Sequence, residues 1–129
     1  NAENWHNLAL TLSDDGRPVL HVMTMENGEL TMYTPAYPVL SDQTLRLQAD
    51  FADAVLHFAF CDRDGHKTIG PGLDLRILSD EHVRGNGFTG CMVGIGCQDL
   101  RGDGCYAEFA KFCVDIYNDD AHEKTCGKR

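Results

Sequence analysis

Apolar residues in this chain alternate at a period of two, and Gly, Asp and Asn interrupt the alternation about every ten residues. Leu45, Leu47, Ala49 and Phe51 alternate strictly with polar neighbours, and Leu56, Phe58 and Phe60 do the same after a short Ala-Asp-Ala connection. Side chains two apart share one face of a strand, so this pattern describes a half-buried hairpin. Trp5 to Leu12 and Pro18 to Met25 read as a second pair around the turn Ser13-Asp-Asp-Gly-Arg17. Asn27-Gly28 marks a tight hairpin because both residues tolerate positive φ, so Leu30 to Thr34 should return antiparallel. Pro35 and Pro38 should then end the ladder, and Asp62 to His66 should turn the chain again. Only Leu73 to Leu78 suits a short helical turn. About eight strands at this spacing predict an all-β, antiparallel sandwich or barrel.

One stretch stands out from that alternation. Cys91 to Cys97 is apolar or glycine throughout, with no charge until Asp99, which predicts a strand covered on both faces. Gly90, Gly94 and Gly96 suggest a bend, a bulge or a close backbone approach within it. The last expected strand is Ala107 to Phe112.

A length of 129 residues suits one domain, and a net charge of −9 without a Lys/Arg cluster excludes a nucleic-acid or anionic-membrane surface. A neutral polymer such as a sugar remains compatible. The longest apolar runs fall well short of the ~20 residues of a membrane span. Six cysteines lean toward an exported protein, with a cytoplasmic location as the alternative. If the chain reverses symmetrically through Gln98 to Gly104, Cys97 lies opposite Cys105, a candidate disulfide that competes with free thiols as core filler. No cysteine spacing matches a zinc site, and no cofactor is expected.

The charged and nucleophilic residues form no catalytic set. Glycoside hydrolysis needs two carboxylates across the scissile bond, and no strand here offers two on one face. Glu108 stands alone, while Asp50 and Asp53 flank a turn. Ser13, Ser41 and Ser79 sit at turns outside any nucleophile elbow, and the six histidines lack paired ligand spacing. His57 falls on the strand face opposite Leu56 and Phe58. Asp62-x-Asp64-Gly65 reads as a hairpin turn more readily than as a calcium loop. Arg101-Gly102-Asp103 also falls in a turn, where Gly and Asp are expected. Trp5, Tyr33 and Tyr37 are candidate sugar-stacking residues, the tyrosines because they adjoin the Pro-bearing loop; core packing is the competing reading for Trp5.

Phe88-Thr-Gly-x-x-Val-Gly-x-x-Cys-Gln-Asp-Leu100 followed by Ala107-Glu-Phe109 resembles the end of the C-terminal β-sandwich of family 43 β-xylosidases and α-L-arabinofuranosidases. Ile69-Gly-Pro-Gly-Leu-Asp-Leu75 and Leu78-Ser-Asp-Glu81 resemble two further segments of that module, in the same order. The resemblance covers about Glu3 to Val114 and implies a concanavalin-A-like (jelly-roll) sandwich at residues 1–117, with a polar tail at 118–129. It also suggests that the chain corresponds to roughly the later two-thirds of the family module. Ala-Glu-Phe-Ala-Lys-Phe112 departs from the usual Ala-Asp-Phe-Asp-Tyr-Phe, which puts contacts of the missing Asp and Tyr in doubt.

In that family the catalytic carboxylates belong to an N-terminal five-bladed propeller, so the resemblance implies an accessory role beside such a partner. A Phe of the corresponding loop reaches the propeller's sugar pocket, a role that falls here on Phe88 with Thr89 beside it; anchoring the loop in its own sandwich is the competing reading. The implied ligand is xylan or a xylo-oligosaccharide. Two alternatives stay open: an independent carbohydrate-binding module, and a structural sandwich acting in homo-oligomerisation without sugar.

Overall fold

In the computed structural model, residues 2–40, 44–79, 81–82 and 91–116 are described. Two compact units divide after Cys91, Asn1–Cys91 and Met92–Arg129.

The first unit is built from two antiparallel meanders. β1 (Trp5–Leu12), β2 (Pro18–Glu26) and β3 (Glu29–Pro38) form one three-stranded sheet in that order. β4 (Arg46–Ala52), β5 (Val55–Asp62) and β6 (Gly65–Asp74) form the other. The regular structure of this unit is all-β apart from one 3-10 turn, as two antiparallel sheets.

Local chemistry sets each turn. Asn27 and Gly28 adopt φ of 49° and 84°, the double left-handed geometry of a two-residue hairpin whose twist matches its strands. The β4–β5 turn uses the same geometry without glycine, at Asp53 (φ 50°) and Ala54 (φ 61°). In the β5–β6 turn the Asp62 carboxylate accepts the Asp64 N–H at 2.8 Å. Lys67 Nζ lies 2.9 Å from Asp62 and 3.8 Å from Asp64, so an ammonium bridges the two acids that a hard cation would otherwise suit. The lysine's hydrogen bond holds the Asp62 carboxyl below its usual range.

The core forms between the sheets. Leu20, Val22 and Val39 from the first side meet Leu56, Phe58, Phe60, Ile69 and Leu73 from the second. Ladder partners share a face, so Leu8–Val22–Tyr33 and Ala49–Phe58–Ile69 are inward rows. His6 ties the sheets at one end: its Nδ1 lies 2.8 Å from the Thr24 hydroxyl and its Nε2 lies 3.0 Å from the Asp74 carbonyl. Nε2 must donate to that carbonyl, which leaves Nδ1 to accept from buried Thr24.

Three expectations change. Pro35 does not end β3, because β3 is an edge strand and the ladder absorbs the proline in a bulge between Leu20 and Val22, resuming at Tyr37 and Pro38. Leu75–Leu78 is a short 3-10 turn capped by Asp74, shorter than the Leu73 to Leu78 span. The described residues hold six strands, fewer than the expected eight.

The largest change lies in the second unit. Residues 92–116 contain no regular strand, and Cys91 and Met92–Cys97 are exposed where a doubly covered strand was expected. Met92 is 89% exposed, and Phe109 and Phe112 of the other expected strand are half exposed. An apolar run becomes a buried strand only when neighbours supply both ladder and cover, and no residue of 92–116 joins a ladder among the described residues. Asp99 closes one turn within these residues. Its carboxylate accepts N–H groups of Arg101, Gly102, Gly104 and Cys105 at 2.7–3.2 Å, closing the turn that contains Arg101-Gly102-Asp103. The Gly104 N–H contributes most to holding the Asp99 carboxyl below its usual range. The expected tail at 118–129 lies outside the described residues.

Candidate functional site

Two irregularities in the ladders coincide in space. Between Leu20 and Val22 one residue of β2 faces Thr34, Pro35 and Ala36 of β3; between Leu56 and Phe58 one residue of β5 faces Gly70, Pro71 and Gly72 of β6. Bulges bend a strand and re-aim its side chains. Here the two bulges face one another, and the space between them is a groove of about 310 Å³ lined by Val22, Tyr33, Thr34, Pro35, Tyr37, Gly70 and Pro71.

Gly70 is what lets the bulges approach. Its φ is +70°, and a Cβ placed there would stand 3.0 Å from Val22 Cγ2. Gly72 meets a similar limit, since a Cβ would lie 2.9 Å from the His57 ring and from Val55. The Gly-Pro-Gly sequence thus serves contact across the core at one residue and packing on the outer face at the next.

Tyr33 and Tyr37, flagged from sequence, are brought together at this groove. Both are half-buried and pack against the core cluster, opposite Val22 and Leu20. Their hydroxyls and that of Thr34 make no hydrogen bond among the described residues. Trp5 is not in the groove: it pairs with Met25 on the opposite face of the first sheet and is half-buried there. Gly70 and Pro71 were missed as groove residues, although two prolines, each among small residues in a strand pattern, are a bulge signal. Phe88 and Thr89 lie outside the described residues. Cys97 and Cys105 are free, exposed thiols.

A second concavity of about 310 Å³ is lined by Asp53, Ala54, Val55, Gly72, Leu73, Asp74 and Arg76. Arg76 donates through Nε and Nη2 to both Asp74 oxygens at 2.7–3.0 Å, and this fork holds the Asp74 carboxyl down at about 2. A depressed carboxylate contributes its stability above the ordinary range near 3.8 and loses it as pH falls toward the folded value, so the contribution should fade between about pH 4 and 2. In an NMR pH titration the Asp74 carboxyl carbon should turn over near 2, and in Arg76→Ala at a higher pH that stays below the ordinary value, because the backbone N–H of residue 76 still donates to Asp74; identical midpoints would remove the fork as the cause.

Asp15, Asp62, Asp74 and Asp99 are all shifted downward, each by a specific donor. None of these four lines the groove, whose seven lining residues include no carboxylate. The described residues therefore define a β-sandwich with a neutral aromatic groove.

Comparison with known proteins gives the family. Residues 1–115 match the model of the β-xylosidase C-terminal concanavalin A-like domain, and the chain belongs to that family. It is 30% identical over 117 residues to a β-xylosidase of Bacillus subtilis (strain 168), covering 87% of this chain and 22% of that protein. It is 32% identical over 118 residues to xylosidase/arabinosidase 43B of Humicola insolens, with 84% and 22% covered. A putative β-xylosidase of Escherichia coli (strain K12) is 25% identical over 125 residues, with 89% and 22% covered. The chain thus spans 22% of the length of each of these relatives.

Proposed function

We propose that the chain is the accessory β-sandwich of a xylan-degrading glycoside hydrolase, a β-xylosidase or α-L-arabinofuranosidase. It supports an N-terminal propeller catalytic domain and helps close that domain's sugar pocket. The observation that carries this reading is the family match over residues 1–115, joined to the 22% share of relatives named for xylosidase activity.

The pocket role is assigned to Phe88 and Thr89 because their segment resembles the family loop. A large apolar side chain there excludes water and shapes a small subsite for a terminal pentose. In the whole enzyme that carries this chain, Phe88→Ala should lower kcat/KM for xylobiose by about 10- to 100-fold, equivalent to about 1.4–2.7 kcal/mol of transition-state stabilisation. The thermal midpoint should stay within a few degrees of the parent. Unchanged kcat/KM would reject the lid, and a collapse of the thermal midpoint would assign Phe88 to anchoring its own sandwich.

A further inference from the structure

We propose that the groove between the two proline-bearing bulges is a binding subsite for one neutral pyranose ring of a xylo-oligosaccharide, held against Tyr33 and Tyr37. The choice of sugar rests on the functional reading above; the groove itself does not.

Its lining decides the chemistry of the ligand. None of the seven lining residues carries a charge, in a chain whose net charge is −9. An anion finds no cationic partner there, and a cation finds no carboxylate in the lining. The surface is mostly apolar, yet three of its lining residues, Tyr33, Thr34 and Tyr37, carry hydroxyls that bond no partner among the described residues. A purely aliphatic ligand would leave those hydroxyls unused. A pyranose ring presents an apolar C–H face and a rim of hydroxyls, and so matches both features at once.

Size and rigidity agree with that occupant. About 310 Å³ is the lower end of the range of small-molecule sites, enough for one ring with its linkage and too little for an extended polymer segment. The walls are held before any ligand arrives: the prolines fix their φ, Gly70 sits against Val22, and both tyrosines pack on the core. Little ordering has to accompany binding, which lets a small contact give measurable affinity.

The test is aromatic NMR of the 129-residue chain titrated with xylotriose. The Tyr33 and Tyr37 ring resonances should shift saturably, with a Kd near ~1 mM, while the Trp5 ring stays in place. Tyr33→Ala and Tyr37→Ala should each weaken binding about tenfold or more. Because those variants also thin the core, the double variant Tyr33→Phe/Tyr37→Phe provides a second arm. It keeps the packing and should still lose about fivefold with the hydroxyls. Absence of a saturable shift at either tyrosine, or full affinity in the Phe variant, would overturn the proposal. Saturable shifts of both rings with a proline-rich peptide and none with xylotriose would overturn it in favour of peptide binding.

Binding is read here without turnover, so the two readings fail separately. Altered kcat/KM in Phe88→Ala without any saturable tyrosine response in the parent chain would overturn the groove alone. Unaltered kcat/KM in Phe88→Ala beside a saturable tyrosine response in the parent chain would reject the lid alone.

Discussion

Gly70→Ala should lower the unfolding free energy by about 3 kcal/mol, the sum of two costs. A left-handed φ of +70° costs an L residue roughly 1–2 kcal/mol. The new methyl would also press on Val22, with Cγ2 at 3.0 Å and Cβ and Cγ1 at 3.2 Å, and overpacking of a core contact adds about 1–3 kcal/mol. Gly28→Ala isolates the first cost, because its φ is +84° but nothing lies within 4 Å of a Cβ there. Urea denaturation of both variants should therefore place the Gly70→Ala midpoint clearly below that of Gly28→Ala. Val22→Ala in the Gly70→Ala background should cost less than Val22→Ala alone, since it removes the clash as well as the buried side chain. Equal midpoints for the two glycine variants would mean that the bulges do not meet as closely as described.

Phe60→Ala should cost still more, about 3–5 kcal/mol, the range for emptying an aromatic site in a core. Phe60 is 2% exposed on the central strand of its sheet, between Leu47 and Lys67 on the same face, with the Lys67 ammonium 5.4 Å from the ring centroid. A domain of this size holds only about 5–15 kcal/mol in total, so the alanine variant would be near its limit. Phe51→Ala is the contrast: the same residue type on the same face, but 48% exposed at the sheet's edge, where the loss should be nearer 1 kcal/mol. Phe60→Leu, which keeps most of the volume, should fall between them. Comparable losses at Phe51 and Phe60 in denaturant titrations would contradict the placement of the core.

Much of the sandwich can be read from residues alone. Asn27-Gly28 fixes its hairpin because few other pairs accept two positive φ angles, and strict alternation across β4 and β5 fixes which side chains turn inward. The β4–β5 turn was placed correctly, although Asp53 and Ala54 carry no glycine, because the alternation resets phase on either side of it. Pro35 misled because a proline ends a ladder only where its missing N–H is needed, and strand order, which sequence does not state, puts β3 at an edge. The groove was half legible. Tyr33 and Tyr37 announced themselves by neighbouring prolines, but their facing partner Gly70-Pro71 comes from the other sheet, and local pattern carries no term for how one sheet lies on another. Cys91 to Cys97 shows the converse limit: apolarity records the capacity to be buried, whereas burial needs a neighbour.

The His6 tether bears on how the chain acquires its fold during synthesis. Each sheet is a meander of consecutive hairpins, so β1 to β3 can zip together from local contacts soon after they leave the ribosome, and β4 to β6 can follow by the same route. The bond from His6 to the Asp74 carbonyl spans 68 positions, and Leu20 and Val22 find their apolar partners only in the second meander. Among the described residues, the inner face of the first meander is covered only once the second meander has been made. Closure of this core therefore waits on a contact between distant parts of the sequence, whereas each sheet can form from neighbouring ones.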